Sequence, residues 1–255
     1  MSHYVDLNSD LGESFGNYTL GMDSEVLNHV TSANIACGWH AGDPLIMDAT
    51  VRICKEKGVA IGAHPGYPDL MGFGRRAMAV NPAEAKAYMM YQLGALQAFC
   101  DSYDITLQHM KLHGAFYNTA CVTPVLADAI LDGLQAVNPN IAAMLLSGSY
   151  IAQEAQRRGI PVIQEVSADR GYTEEGTLVP RTEVGAFIKD PQEALDRVLM
   201  MVTKGKVVTN TGKTIDIVAD SVCVHGDNPE AIAFTRYIRE GLIKAGVTVA
   251  NFQHR

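Results

Sequence analysis

Five times along the chain, a side chain able to cap a helix stands directly before a proline: Asp43-Pro44, Asn81-Pro82, Thr123-Pro124, Asp190-Pro191 and Asn228-Pro229. The cap oxygen accepts an N–H that a first helical turn leaves unpaired, and proline at the next position gives up only an N–H that had no partner. Asn81 and Asp190 are each followed three residues later by a glutamate, Glu84 and Glu193, close to a capping box. After Asp190, the apolar residues Ala194, Leu195, Val198, Leu199 and Val202 fall at helical spacing. Around these helices lie short apolar segments that read as strands: Tyr4–Asn8, Ala33–Cys37, Val59–Ala63, Leu107–Leu112, Ile141–Leu146, Pro161–Val166, Ser221–Val224 and Val247–Ala250. Strands alternating with helices predict an α/β fold with a largely parallel sheet.

Two parallel architectures compete. A doubly wound sheet that binds a dinucleotide places a GxGxxG turn after its first strand. Here the first strand runs into Asn8-Ser9-Asp10-Leu11-Gly12-Glu13-Ser14-Phe15-Gly16, which is acidic and has the wrong glycine spacing, and no GxxxxGK[ST] loop occurs. The expected fold is a (β/α) barrel of seven or eight mostly parallel strands. The 255 residues suit one such domain spanning 1–255. Two stretches interrupt the rhythm: a long polar loop near 167–189, and a segment near 204–217 that reads as a hairpin turning at Asn210-Thr211-Gly212.

Charge narrows the function classes. The net charge is -8 and no run of Lys or Arg occurs, only the pairs Arg75-Arg76 and Arg157-Arg158. Nucleic acid and anionic membrane surfaces are therefore poor partners. The five cysteines are scattered, odd in number and form no CxxC, which argues against disulfides and a zinc knuckle and fits a reducing compartment. The first residues show neither a basic nor an apolar leader segment, and no apolar run nears the roughly 18 residues of a spanning helix. A cytoplasmic protein is expected.

The chemistry-bearing residues collect just past the strand ends. Strand one carries Asp6, Asn8 and Asp10 on one face, followed by Glu13. His40 and His64 follow strands two and three, Lys111 and His113 follow strand four, and Asp169 with Arg170 follow strand six. His225 follows strand seven, and Arg181 lies in the long loop. In a parallel barrel those ends share one face, and that face holds the active site. Four of the eight histidines at four separate strand ends argue for a shared pocket rather than scattered decoration. Asp10, His40 and His64 have the types of a two-histidine, one-carboxylate metal site, or could serve as a base and proton shuttles. Lys111 and His113 share a strand face, where Lys111 could stabilise an oxyanion or merely pair with a buried acid. Asp6 and Asn8 could join the site or tie down neighbouring amides. Arg170 and Arg181 could grip a carboxylate or phosphate bidentately, or staple the loop.

The stretches DLNSDLGESFG (6–16), NIACGWHAGDP (34–44), GAHPGYPD (62–69), KLHGAFYN (111–118), ADRGY (168–172), GTLVPR (176–181) and VCVHGDNP (222–229) together resemble the LamB/YcsF family of 5-oxoprolinase A subunits. That resemblance implies a barrel like those of the glycoside hydrolases and carbohydrate deacetylases. It implies ATP-dependent hydrolysis of a lactam, 5-oxo-L-proline, to L-glutamate together with B and C subunits, and it is compatible with a homo-oligomer. With no ATP-binding motif in this chain, ATP handling is expected to fall to the partners. The expected catalytic set is Asp10, His40, His64, Lys111 and His113, with Asn8, Glu13, Asp169, Arg170, Arg181 and His225 binding substrate. A divalent metal on Asp10, His40 and His64 remains open. Two rival readings stand beside it: a stand-alone metal-dependent amidohydrolase or deacetylase, and a non-catalytic lactam-binding subunit.

Overall fold

A computed structural model describes residues 3–252. Seven parallel strands close into a barrel: β1 (Tyr4–Leu11), β2 (Ser32–Ala36), β3 (Ala60–His64), β4 (Leu107–Met110), β5 (Ala142–Leu146), β6 (Val162–Ser167) and β9 (Ser221–Cys223), with β9 returning to pair with β1. Helices fill the connections: α1 (Asp23–Val26), α2 (Pro44–Lys57), α3 (Pro82–Ser102), α4 (Gly114–Val122), α5 (Pro124–Val137), α6 (Tyr150–Arg157), α7 (Pro191–Lys204) and α8 (Pro229–Lys244). The eighth expected strand shortens to β10 (Thr248–Val249). It pairs with Tyr4 and Val5 at the foot of β1, while Asp6, Leu7 and Asn8 higher up pair with β9. One strand thus serves two neighbours in succession, so the barrel closes with seven.

The helix starts follow the cap–proline pattern. Asp43 accepts from the N–H groups of Leu45 and Ile46, Asp190 from Glu193 and Asn228 from Ala231, and Asn81 with Glu84 forms a complete capping box. Each such cap is worth about 1 kcal/mol. Thr123 departs from the pattern: its side chain makes no cap bond, because α4 ends only one residue before α5 begins. No single described helix is long and apolar enough to cross a membrane.

Outward-facing Val5, Leu7, Ala33, Ile35 and Ile61 bury against the helices. The inward face is unusually polar. Asp6 accepts hydroxyl bonds from Thr31 (2.6 Å), Ser32 (2.7 Å) and Ser221. Asn34 donates to Asn8 at 2.8 Å and accepts from His109 Nε2 at 2.7 Å. Buried polar groups are tolerable only when paired in this way. Gly62 makes room for the network: a Cβ there would collide with the His109 ring. Two short antiparallel strands, β7 (Lys206–Val208) and β8 (Thr214–Asp216), form a hairpin whose turn passes through Gly212 at φ +87°. The preceding loop folds on itself through the bridges Arg170–Phe187 and Tyr172–Leu178.

Candidate functional site

β1 extends past its expected end to Leu11, which places Asp10 on the strand and points it into the mouth of the barrel. There a cavity of about 410 Å³ opens at the C-terminal ends of the strands. Asp10, Glu13, His64, Lys111, His113, Arg170, Arg181 and His225 all line it. Asn8 sits one layer below, tied to Asn34, Ser221 and Lys111. His40 is fully buried behind His113, with the two rings stacked at 3.7 Å.

Lys111 is the electrostatic centre. Its ammonium lies 3.0 Å from Asp10, 2.8 Å from Glu165, 3.1 Å from Asn8 Oδ1 and 3.2 Å from Cys223 Sγ. Burial opposes its charge, but Asp10, Cys223 and Glu165 hold its pKa well above the ordinary lysine value. Asp10 shows the converse balance. Burial pushes its pKa up, yet His64 and Lys111 hold it well below the usual carboxylate range. At Glu13 the balance tips the other way: burial with the nearby charges of Asp10 and Asp227 outweighs Arg75 and His225 and raises its pKa well above normal. One wall of the pocket thus presents an ionised carboxylate and an ammonium, and another a carboxyl held toward its protonated form.

The histidines have fixed tautomers. His64 Nδ1 lies 2.8 Å from the Lys111 carbonyl and must donate to it, so in the neutral ring Nε2 carries the lone pair. His113 Nε2 lies 2.8 Å from the Phe73 carbonyl, leaving Nδ1 bare. His64 Nε2 and His113 Nδ1 face each other at 3.0 Å, and Asp10 Oδ2 lies 3.3 Å from the first. Burial, then His64, lowers the pKa of His113 to about 3, so His113 does not supply the missing proton. Two lone pairs and a carboxylate converging there would repel, and either a proton on His64 Nε2 shared with Asp10 or a metal ion between the three groups removes the repulsion. A neutral imidazole whose other nitrogen donates to a backbone carbonyl is also how metal-binding histidines are oriented.

The donors Glu13, His40, His64 and His113 lie within 4.8 Å of one another, a nitrogen and carboxylate set that suits zinc, iron or manganese. The cluster differs from the expected Asp10, His40 and His64 trio. His113 and Glu13 join it, while Asp10 meets it at His64 and groups on its other side with Cys223 and His225. Those residues come from separate strand ends and the loops that follow them, so no sequence spacing signals which of them converge.

Asp169 does not line the cavity but holds a residue that does. Its Oδ2 lies 2.9 Å from His225 Nδ1, and its Oδ1 accepts from Ser167 at 2.9 Å. Burial opposes the charge on both, yet the pair wins: His225 is raised to about 9 and Asp169 is lowered to about 2. Arg170 is committed to the long loop, donating to the carbonyls of Ala186 at 3.0 Å and Val179 at 2.6 Å. Sequence reasoning passed over Arg75, Tyr117, Glu165 and Asp227 as site residues, though all four line the cavity. Glu165 had a usable signal: an acid at the end of a barrel strand, on the face that Lys111 must satisfy.

A family model described as LamB/YcsF matches residues 5–255. A protein of Fusobacterium nucleatum, named as the A subunit of 5-oxoprolinase, is 60% identical over 249 residues, covering 98% of this chain and 97% of that protein. One of the same name from Pyrococcus horikoshii is 51% identical over 245 residues, covering 96% of each. Among solved structures, a lactam utilization protein from Thermus thermophilus superposes with a TM-score of 0.92 at 44% identity, covering 98% of this chain and 100% of that one. A structure from Enterococcus faecalis, 12% identical with a TM-score of 0.61, covers 100% of this chain and 99% of its own, and shares the fold. The chain belongs to the LamB/YcsF family.

Proposed function

We propose that this chain is the A subunit of a 5-oxoprolinase, opening the lactam of 5-oxo-L-proline to give L-glutamate, with partner B and C subunits supplying ATP-dependent activation. The observation that carries the reading is the pocket's pairing of an ionised Asp10 with a buried Lys111 ammonium at 3.0 Å, in a chain 60% identical to a protein named for the same subunit of 5-oxoprolinase.

A lactam carbonyl is a poor electrophile, and its opening requires three things of the protein. Asp10, held ionised by His64 and Lys111, takes the proton of the attacking water. Lys111 faces the charge that develops on the carbonyl oxygen, and is itself fixed by Glu165, whose second oxygen accepts from Tyr117 at 2.6 Å. The ring C–N bond breaks, and the departing nitrogen takes a proton from His225, cationic at neutral pH with its pKa near 9. Phosphorylation of the lactam oxygen by the partners would make the ring carbon a better electrophile for water; C–N cleavage would then leave an acyl phosphate, whose hydrolysis releases phosphate and the glutamate carboxylate. His64, His113 and Glu13 would hold a divalent metal, with His40 or Asp10 completing the set. When bound, such an ion would polarise the carbonyl or acidify the water.

The test is glutamate release from 5-oxoproline with ATP, using the chain alone and then with the B and C subunits. Release only in the full mixture supports the multi-subunit reading. No release in a mixture whose partners work beside another family member rejects it. The cluster of Glu13, His40, His64 and His113 favours one second reading, a metal-dependent amidohydrolase acting without ATP. Amide cleavage by the metal-loaded chain alone would establish that one instead.

A further inference from the structure

Two arginines at the cavity mouth have no ion-pair partner among the described residues. Arg75 and Arg181 both line the cavity. No described carboxylate lies within ion-pair distance of either guanidinium, whereas Arg76, next in sequence to Arg75, is fully engaged with Asp69. Both are nonetheless positioned rather than loose. Arg75 lies 5.0 Å over the Phe73 ring and Arg181 5.3 Å over the Phe187 ring. Stacking on an aromatic face holds a guanidinium in place while leaving its N–H edge free to donate.

The platform under Arg75 is built at a cost. Phe73 adopts a left-handed backbone, φ +54°, which a side-chain-bearing residue rarely takes. That turn is pinned on several sides. Arg76 and the Gly72 N–H engage Asp69, the Gly74 carbonyl accepts from Ala115 at 2.9 Å, and the Phe73 carbonyl accepts from His113. The same strained residue therefore orients a histidine inside the pocket and carries an arginine at its rim. On the opposite side, Arg170 staples the 170–187 turn whose Phe187 supports Arg181. Burial, then the neighbouring Arg75, lowers the pKa of Arg181 against the opposing pull of Asp169 and Asp10, so the two cations share the opening with their repulsion only partly offset.

We infer that Arg75 and Arg181 form a clamp for an oxyanionic group of the substrate, setting its reactive carbonyl at the Asp10–Lys111 pair below. This rests on the reading of the chain as a subunit that acts on 5-oxo-L-proline and adds which residues grip the substrate's anionic group. A carboxylate on the ring and a phosphoryl group transferred to it offer the same chemistry, oxygens spaced to accept a bidentate fork.

Binding isotherms on the intact chain test it with three probes: 5-oxoproline, its carboxylate-free analogue 2-pyrrolidone, and inorganic phosphate. The variants are Arg75→Gln, Arg181→Gln and Arg75→Lys, each checked for an unchanged circular dichroism spectrum. Expected for a carboxylate clamp is 5-oxoproline binding that weakens about ten- to hundredfold in either glutamine variant, less in the lysine variant, with 2-pyrrolidone weak and indifferent throughout. Phosphate binding that is lost in the variants while 5-oxoproline binding is kept assigns the clamp to a phosphoryl group. Lactam binding that ignores both arginines, together with phosphate binding that does so or is absent, overturns the clamp and leaves the lactam reading standing. Arginine-dependent phosphate binding with no lactam bound overturns the lactam reading and leaves the clamp.

Discussion

His64 and His113 turn ring nitrogens toward each other at 3.0 Å, each ring locked in that orientation by a backbone carbonyl on its far side, Lys111 for one and Phe73 for the other. The barrel thus holds two acceptors together beside the Asp10 carboxylate, an arrangement that favours whatever positive charge settles between them.

Metal titration follows from that relationship. The chain, stripped with chelator and titrated calorimetrically with zinc or manganese, is expected to bind an equimolar amount. His113→Ala should weaken binding by more than about a hundredfold, the upper end of what loss of an outer partner alone costs. Unchanged affinity in that variant would place the ion elsewhere.

Lys111→Met should be damaging twice over. It leaves Asp10 and Glu165 buried without their shared counter-charge, which costs about 3–5 kcal/mol and should appear as a lowered denaturant midpoint. It also removes the cation facing the carbonyl oxygen, for a fall in kcat of about a hundredfold or more. Glu165→Gln keeps the shape and should lower kcat less, since Asp10 still holds the ammonium.

The Asp169–His225 pair predicts a pH profile. His225 is raised from 6.5 to about 9, so its contribution to stability is complete below pH 6.5 and is lost as pH rises through about 9. Asp169 is lowered from 3.8 to about 2, so its contribution is present above pH 3.8 and is lost as pH falls toward 2. In Asp169→Asn, the His225 midpoint followed by NMR should drop well below 9, because burial is then opposed only by the more weakly acting Asp10 and Asp227. A midpoint that stays near 9 would show that those other acids hold the proton.

Gly62→Ala should lower the thermal midpoint. The added methyl meets the His109 ring, and the clash is expected to cost about 1–3 kcal/mol as that imidazole is forced off its bond to Asn34. Pairing it with His109→Ala should recover part of the loss, which a purely local backbone effect would not allow.

The barrel was legible in the sequence because its punctuation is local. A cap side chain before a proline starts a helix through contacts within one turn, and four of the five starts use their cap as expected. The expected strands fall within a few residues of those observed, apart from β1, whose extra pleats carry Asp10 inward. The site was legible as a face rather than as an arrangement. Position past a strand end placed Asp10, Lys111 and His225 on the cavity wall, but which imidazole backs another depends on loop geometry. His40, a candidate ligand by type, sits behind His113 because Gly66 lets its ring tuck against the backbone there, where a Cβ would crowd it. Arg75 gave no signal at all, since its support is a left-handed Phe73 that nothing in composition announces.

The division of β1 between β10 below and β9 above has a consequence for the order in which the molecule can be made. Of the barrel's strands, β1 leaves the ribosome first and is satisfied last: one edge finds β2 early, but the other waits for residues 221–223 and 248–249. Until then it is an open edge carrying buried acids, a template for wrong partners. The Thr248 N–H bond to the His3 carbonyl at 2.9 Å then draws the two ends of the described chain side by side. A short peptide could bridge them, and new ends cut at the exposed hairpin tip near Asn210 would let β1 be born between its neighbours rather than ahead of them.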